Sequence, residues 1–459
     1  MQKWDIVRDA ELRLVPLGVI TPSGDLDAAV SYALAHPEQA LAFLRRHRVV
    51  GLGLARIQEA CGAGALPRVL TELREFRGGL DEMLDDALDE LISAVEETGV
   101  PTVGIKGLSM RQLYGRATDR DTGDVDVMVN DVDGAWELTA RLRALGYDWC
   151  QYEWPWIKRD GASGEIYGQF QVWREFGDRA KRFDVHFGGY SVRHCRRAPY
   201  TIDKAGFSLL DPAENVPCLL GNAAGDYLVR LKDVNDTILL LESGAAVDER
   251  AKTRSKELGL DGFWAVLVGY ARTMANLSPQ ATAHIANLQP GALARRAVPF
   301  GAPAQRRRTA ATVHDAFRAG RAQGGIAGGI RTAVSAYGYY GHGLKLNVSP
   351  CAHPERADLV ADMTNETCIR LIPPRMIRTT AADRAPESGA EPESEIPGTS
   401  LLRTVKSAGH GFVVAADGES FVPTIMYDVC SFEAGYHRPD SRADIGGDET
   451  GSGPRSAQI

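Results

Sequence analysis

The stretch Gly123-Asp124-Val125-Asp126-Val127-Met128-Val129 constrains this chain more than any other. It reads as a short apolar strand with two carboxylates at its entrance. In a strand, side chains at i and i+2 share a face, so Asp124 and Asp126 project together, about 7 Å apart along the backbone. Two like charges so placed disfavour joint ionisation unless a cation lies between them, so crowding raises at least one pKa in the metal-free state. Hard divalent ions such as Mg²⁺ or Mn²⁺ take such oxygen ligands, and substrate phosphates complete the shell.

The spacing alone is not distinctive. Asp25-Leu26-Asp27, Asp119-Arg120-Asp121 and Asp131-Val132-Asp133 repeat it. Asp25 and Asp27 follow Pro22-Ser23-Gly24 and suit the first turn of a helix, where acids favour the dipole. The surroundings of Asp124 and Asp126 set them apart. Upstream, Pro101 to Ser109 reads as an apolar strand ending in a glycine turn. A helix follows it, with Met110, Leu113 and Tyr114 on one side. Downstream, residues 135–145 read as an amphipathic helix stopped by Gly146. Further on, Arg182-Phe183-Asp184-Val185-His186-Phe187 is a strand with one central carboxylate. His186 is placed off the face of Asp184, packing or pointing to the opposite side.

This order resembles the DNA polymerase β-like nucleotidyltransferase superfamily, and within it the uncharacterised bacterial nucleotidyltransferase-like proteins with an apolar-Lys-Gly opening. The resemblance covers roughly residues 98 to 245. Where the superfamily ends its first strand in a glycine pair or Gly-Ser, this chain has Lys106-Gly107, so Lys106 departs from the usual glycine. Arg120 matches an arginine common four residues before the first metal aspartate. Asp124 and Asp126 match the metal-binding pair and Asp184 the third carboxylate. A helical region with an Arg-Leu-x-Asp type helix follows the core in that family, which makes Arg230, Lys232 and Asp236 candidates for nucleotide or acceptor contact.

The resemblance implies transfer of a nucleotidyl group, with attack on the α-phosphate and departure of pyrophosphate. Two metals about 3.5–4 Å apart stabilise the attacking and leaving oxygens in such sites. Asp124 and Asp126 would bridge them. Asp184 would hold the metal near the acceptor hydroxyl and take its proton. Gly107 would let the backbone approach phosphate, Ser109 would face the anion from the next helix, and Lys106 or Arg120 would neutralise triphosphate charge. On this reading Asp124→Asn or Asp126→Asn abolishes turnover, leaves folding nearly intact and slightly raises the melting temperature. Plainer readings stay open. Asp184 could pair with Arg182 or Arg179, Gly107 could serve only the turn, Arg120 could solvate its loop, and Ser109 could be a helix N-terminal residue. Arg230, Lys232 and Asp236 could form a salt-bridged helix face.

The expected fold is α+β, a small mixed-sheet core flanked by N- and C-terminal helical regions. Residues 1–97 read as helical, with periodic segments at 28–34, 38–46, 70–76 and 80–98. The core is placed at 98–210. Within it the aromatic stretch 147–174 reads as two strands around the turn 159–164. A helical domain is placed at 211–300, a region of unclear fold at 301–380, and a disordered linker at 381–399, rich in Glu, Pro, Ala and Ser. A small β-prone segment at 400–437 and a loose tail at 438–459 complete the division.

A net charge of −8 argues against nonspecific affinity for nucleic acid or anionic lipid. The run Arg306-Arg307-Arg308 is short and reads as a solvated helix face. Seven cysteines without metal spacing suggest reduced thiols in a cytoplasm, and no apolar run is long enough to span a membrane. The N-terminus lacks a signal peptide's apolar core. The function expected is metal-dependent transfer of NMP from an NTP, ATP first, to a hydroxyl or similar acceptor on a small molecule, peptide or protein. Antibiotic modification, natural-product biosynthesis and a toxin-like role are contexts the resemblance implies. Two alternatives are a noncatalytic nucleotide-binding or partner-binding module and a metal-dependent glycosyltransferase, which also uses D-x-D.

Overall fold

The computed structural model describes residues 9–286, except 63–65, 151–154, 178, 193–195, 226–228 and 259, then scattered positions between 313 and 334, residues 369–373, and 392–425 except 397 and 408–409. Tyr152, Trp154, the run Arg306-Arg307-Arg308, most of 301–380, and the tail lie outside the described residues.

The fold is α+β. In chain order the strands are β1 (Thr102–Gly104), β2 (Val125–Val129), β3 (Asp148–Trp149), β4 (Trp156–Arg159), β5 (Ile166–Phe176), β6 (Arg179–Phe187), β7 (Tyr190–Val192), β8 (Arg196–Ala198) and β9 (Phe207–Leu209). They are followed by β10 (Ile369–Ile372), β11 (Pro392–Glu395), β12 (Leu402–Ser407), β13 (His410–Ala415) and β14 (Ser420–Ile425). One mixed sheet runs β11-β12-β13-β14-β10-β4-β5-β6-β2-β1-β9, with β3 beside β5 and a separate β7–β8 ribbon. β2 runs antiparallel to β1 and parallel to β6, and this parallel pair lies at the centre of the site.

Alternation along β2 and β6 sends their side chains into two different cores. Val125, Val127 and Val129, with Phe183, Val185 and Phe187, enter one of them. There they meet Leu91 and Val95 of the helix Arg68–Thr98 and Trp136 of the helix Val132–Ala144. Met128 points the other way, into a core built from the N-terminal helices and the helices Pro212–Gly225, Leu231–Glu242 and Asp261–Met274. Polar residues on that second face are therefore held between the sheet and a wall of helices.

Several sequence expectations hold at this level. Asp25 accepts from the Ala28 amide at 2.9 Å and caps the helix Leu26–Ala35. β4 and β5 pair antiparallel around the turn at 159–164. Two expectations change. The segments at 70–76 and 80–98 form one 31-residue helix, Arg68–Thr98, that runs through Gly78 and Gly79. Glycine costs helix stability, about 1 kcal/mol relative to alanine, but packing overrides it here. A side chain at Gly79 would collide with the Arg179 guanidinium, which also lies 5.0 Å over the Phe76 ring.

The second change concerns the C-terminal segment. Residues 381–391 of the expected linker lie outside the described residues, but Pro392–Glu395 forms a strand on β12, and β10 pairs with both β4 and β14. Phe421 lies edge-on to Trp136 and Trp149 at 5.8 and 5.6 Å. Glu419 accepts from Trp149 Nε1 at 2.8 Å and pairs with Arg143. Asp133, at the start of the helix Val132–Ala144, accepts from the amide and hydroxyl of Ser400 at 2.8 and 2.7 Å. A polar, Pro-containing run such as 392–395 has no local strand signal; its partner strand supplies the hydrogen bonds that order it.

Candidate active site

Asp126 and Asp184 are directly opposite in the parallel register of β2 and β6. Neighbouring strands lie about 4.8 Å apart, so the two side chains leave the same face as close neighbours. Asp124 precedes Asp126 by two residues. The Arg182 guanidinium ties the set together, with Nη2 donating to Asp124 Oδ2 at 2.5 Å and Nε lying 3.4 Å from Asp184 Oδ1. Asp124 and Asp184 thus share one cation. Arg179 does not take part; it packs against Gly79 and Phe76.

Lys106 is the second cation. Its Nζ donates to Asp126 Oδ1 at 2.6 Å, lies 3.3 Å from His186 Nε2, and sits 5.0 Å over the Tyr190 ring. Burial disfavours this charge, yet Asp126, Tyr190 and Asp184 raise the Lys106 pKa well above its ordinary value. Burial alone would raise the Asp126 carboxyl, but the Lys106 ammonium and the His186 ring hold it well below the usual range. The like-charge expectation therefore fails at Asp126: an ammonium faces the carboxylate more closely than the second carboxylate opposes it.

His186 lies on the same face as Asp184, contrary to the sequence reading. The two are i and i+2 in β6, so period two already requires it. Its Nε2 is 3.3 Å from Asp126 Oδ1. Burial and the Lys106 charge lower its pKa to about 4, against the opposing pull of Asp126 and Asp124, so the ring is neutral at pH 7. Nε2 then accepts from Lys106 or donates to Asp126 according to tautomer. Arg182, at i−2, follows by the same count.

The turn before the short helix Lys106–Met110 also differs from expectation. Lys106, and not Gly107, takes the left-handed backbone, with φ of +49°. Asn215 holds it there. The Lys106 amide donates to Asn215 Oδ1 at 2.7 Å, and Asn215 Nδ2 donates to the Lys106 carbonyl at 3.0 Å. Asn215 sits far along the chain in the helix Pro212–Gly225, and no local signal marks it. Gly107 leaves room for Arg120, whose Nη1 would stand 2.4 Å from a Cβ there.

Arg120 points into the protein. Its Nε and Nη2 donate to the two Asp236 oxygens at 3.0 and 2.8 Å, and Tyr114 donates to Asp236 Oδ1 at 2.8 Å. It thus neither solvates its loop nor lies beside the carboxylates. Ser109 is buried and donates to the Leu210 carbonyl at 2.6 Å. Lys232 donates to Asp233 at 2.5 Å, and Arg230 is buried at the head of the helix Leu231–Glu242. The salt-bridged reading of Lys232 and Asp236 holds, although the face is buried rather than solvated. Asp226, Tyr227 and Leu228 lie outside the described residues.

Asp124, Asp126 and Asp184 supply hard oxygen donors of the kind Mg²⁺ or Mn²⁺ prefers. Among the described residues, no group of three or more His, Cys, Asp or Glu is arranged to hold a metal ion. Instead Lys106 and Arg182 take carboxylate oxygens. The donor chemistry fits a divalent ion, provided that a cation now on the carboxylates gives way. Among the described residues no helix is long and apolar enough to cross a membrane.

The model of a family described as uncharacterised nucleotidyltransferase matches residues 34–276, more than half of the chain. The match reaches beyond residues 98 to 245 on both sides, taking in helices that wall the carboxylate face. No curated protein and no solved structure matches the chain. With the family match covering the carboxylate-bearing parallel strand pair and more than half of the chain, the chain belongs to the family of uncharacterised nucleotidyltransferases.

Proposed function

We propose that this nucleotidyltransferase moves NMP from an NTP to a hydroxyl or similar acceptor with the help of a divalent metal. The element order supports a place in the DNA polymerase β-like superfamily. The observation that carries the reading is the Arg182 contact to both Asp124 and Asp184, which makes β2 and β6 present their carboxylates to one cation. Asp124 and Asp184, with Arg182 turned away and Asp126 beside them, would hold Mg²⁺ or Mn²⁺, which would supply charge neutralisation for the triphosphate and the leaving pyrophosphate.

The chain's own groups have roles that need no bound ion to define. Asp184 is buried beside the register partner Asp126 and can accept a proton from an acceptor hydroxyl brought to the β6 side. Arg182, partly exposed at the rim, can turn from the carboxylates to phosphate oxygens, to which a guanidinium binds in bidentate fashion. Neutral His186 keeps the floor of the site from adding positive charge. Arg120 and Ser109, already engaged with Asp236 and Leu210, serve the scaffold rather than phosphate.

The net charge of −8 favours a small molecule, peptide or protein as acceptor over nucleic acid. A noncatalytic nucleotide-binding module is the second reading, and the Lys106 hold on Asp126 is the observation that favours it. Incubation with each labelled NTP, Mg²⁺ and a cell extract separates the two. The transferase releases pyrophosphate and leaves a labelled product; Asp184→Asn retains nucleotide but loses transfer by orders of magnitude. Nucleotide binding without pyrophosphate release under every acceptor supplied supports the module. Near wild-type turnover in both Asp124→Asn and Asp126→Asn refutes the site.

A further inference from the structure

The two cations of the site are held in different ways. Lys106 has a left-handed backbone, which a residue with a side chain adopts only at an energetic cost. Asn215, fully buried, offsets that cost by bonding both the amide and the carbonyl of this one residue. The side chain is 11% exposed, and its ammonium is enclosed by Asp126, His186 and the Tyr190 ring. Arg182 is 31% exposed and reaches Asp124 and Asp184 from the rim. An arginine at the rim can swing into water. A lysine whose backbone is pinned and whose stem is enclosed would have to carry a desolvated charge away from the carboxylate it bonds.

We infer that Lys106, positioned by Asn215, is the permanent counter-cation of Asp126, and that the site therefore takes one divalent ion, on Asp124 and Asp184, rather than two. This rests on the metal-dependent reading above. Charge points the same way. Three carboxylates face two positive groups, and replacing Arg182 alone by one divalent ion already brings the protein part of the site to neutrality. A second ion beside the buried ammonium would meet direct like-charge repulsion.

The test counts ions, not turnover. Mn²⁺ is titrated into the full chain with a nonhydrolysable NTP, and bound Mn²⁺ per chain is read by electron paramagnetic resonance. Wild-type protein should bind one ion. Lys106→Met removes the charge at similar volume and should bind two. Lys106→Gly should do the same, and it suits the left-handed turn without strain, so it covers the case in which the Met variant fails to fold. Asn215→Ala loosens Lys106 and should admit the second ion about tenfold more weakly than Lys106→Met, a factor that corresponds to ~1.4 kcal/mol. A purely structural Asn215 would lower the melting temperature and leave the count at one. Two ions on wild-type protein, or one on both Lys106 variants, overturns the role of Lys106 and leaves the nucleotidyl-transfer reading standing. Wild-type protein that binds neither Mn²⁺ nor NTP overturns that reading itself.

Discussion

Replacing Arg120 by Met should loosen the fold rather than weaken the hold on nucleotide. The guanidinium meets both Asp236 oxygens at 3.0 and 2.8 Å, and both side chains are almost fully buried. Burial opposes the Arg120 charge, but Asp236 raises its pKa above its already high value, so the ion pair is retained at all ordinary pH. The pair joins the loop before β2 to the helix Leu231–Glu242, and so joins the carboxylate strand to the helical wall. Removing one member of a buried pair leaves an uncompensated charge and costs about 3–5 kcal/mol. Tyr114 still donates to Asp236, which places the loss toward the lower end. At about 2–4 °C per kcal/mol for a unit of this size, the melting temperature should fall by roughly 6–15 °C. The assay is a double-mutant cycle by thermal and urea unfolding with Arg120→Met, Asp236→Leu and the pair. The double variant should recover most of the loss, because apolar replacement of both partners is nearly neutral, so the coupling should exceed the loss of either single variant, above about 3 kcal/mol. Arg120→Met that melts within about 2 °C of wild type but binds NTP tenfold more weakly would refute the scaffold role and return Arg120 to the phosphate.

Three further outcomes follow from the same contacts. Asp126→Asn should abolish turnover and also destabilise the protein by about 3 kcal/mol, because it leaves the Lys106 ammonium buried without its carboxylate; an unchanged or raised melting temperature would contradict the pairing. Asp121→Ala should cost about 1–2 kcal/mol by urea unfolding, since Asp121 accepts from the amides of Val50 and Gly51 at 2.7 and 2.9 Å and so caps the helix Val50–Cys61. Burial, Arg46 and Arg230 lower the His47 pKa from 6.5 to about 3 against the opposing pull of Asp233, so its stabilisation is complete above pH 6.5 and is lost as pH falls toward 3. Unfolding free energy measured between pH 7 and 4 should fall more steeply in wild type than in His47→Gln, by at most about 1.4 kcal/mol per pH unit, and equal slopes would remove His47 as the cause.

Period-two alternation was sufficient to put Asp124 and Asp126 on one face of β2 and the apolar Val125, Val127 and Val129 on the other. The same count applied to β6 places Arg182, Asp184 and His186 together, so the position of His186 is fixed by the period of its strand. A helix start at Asp25, the hairpin of β4 and β5, and the β-prone character of the segment at 400–437 were equally legible, because turns and alternation act over a few residues.

What lay beyond the sequence was the choice of distant partners. Lys106 lies 109 residues from Asn215, and Arg120 lies 116 from Asp236. Nothing local tells a lysine in a turn whether its ammonium will meet phosphate or an aspartate on the neighbouring strand. Nor does any local pattern show that Gly107 is there for Arg120, or that a glycine pair will stay inside a 31-residue helix. The polar run at 392–395 becomes a strand only because β12 lies beside it. The faces of the elements follow from periodicity along the chain, which is a local property of the backbone. Which charge neutralises which, and which segment completes the sheet, was decided by burial in the folded protein, where a polar group without a partner is too costly to leave.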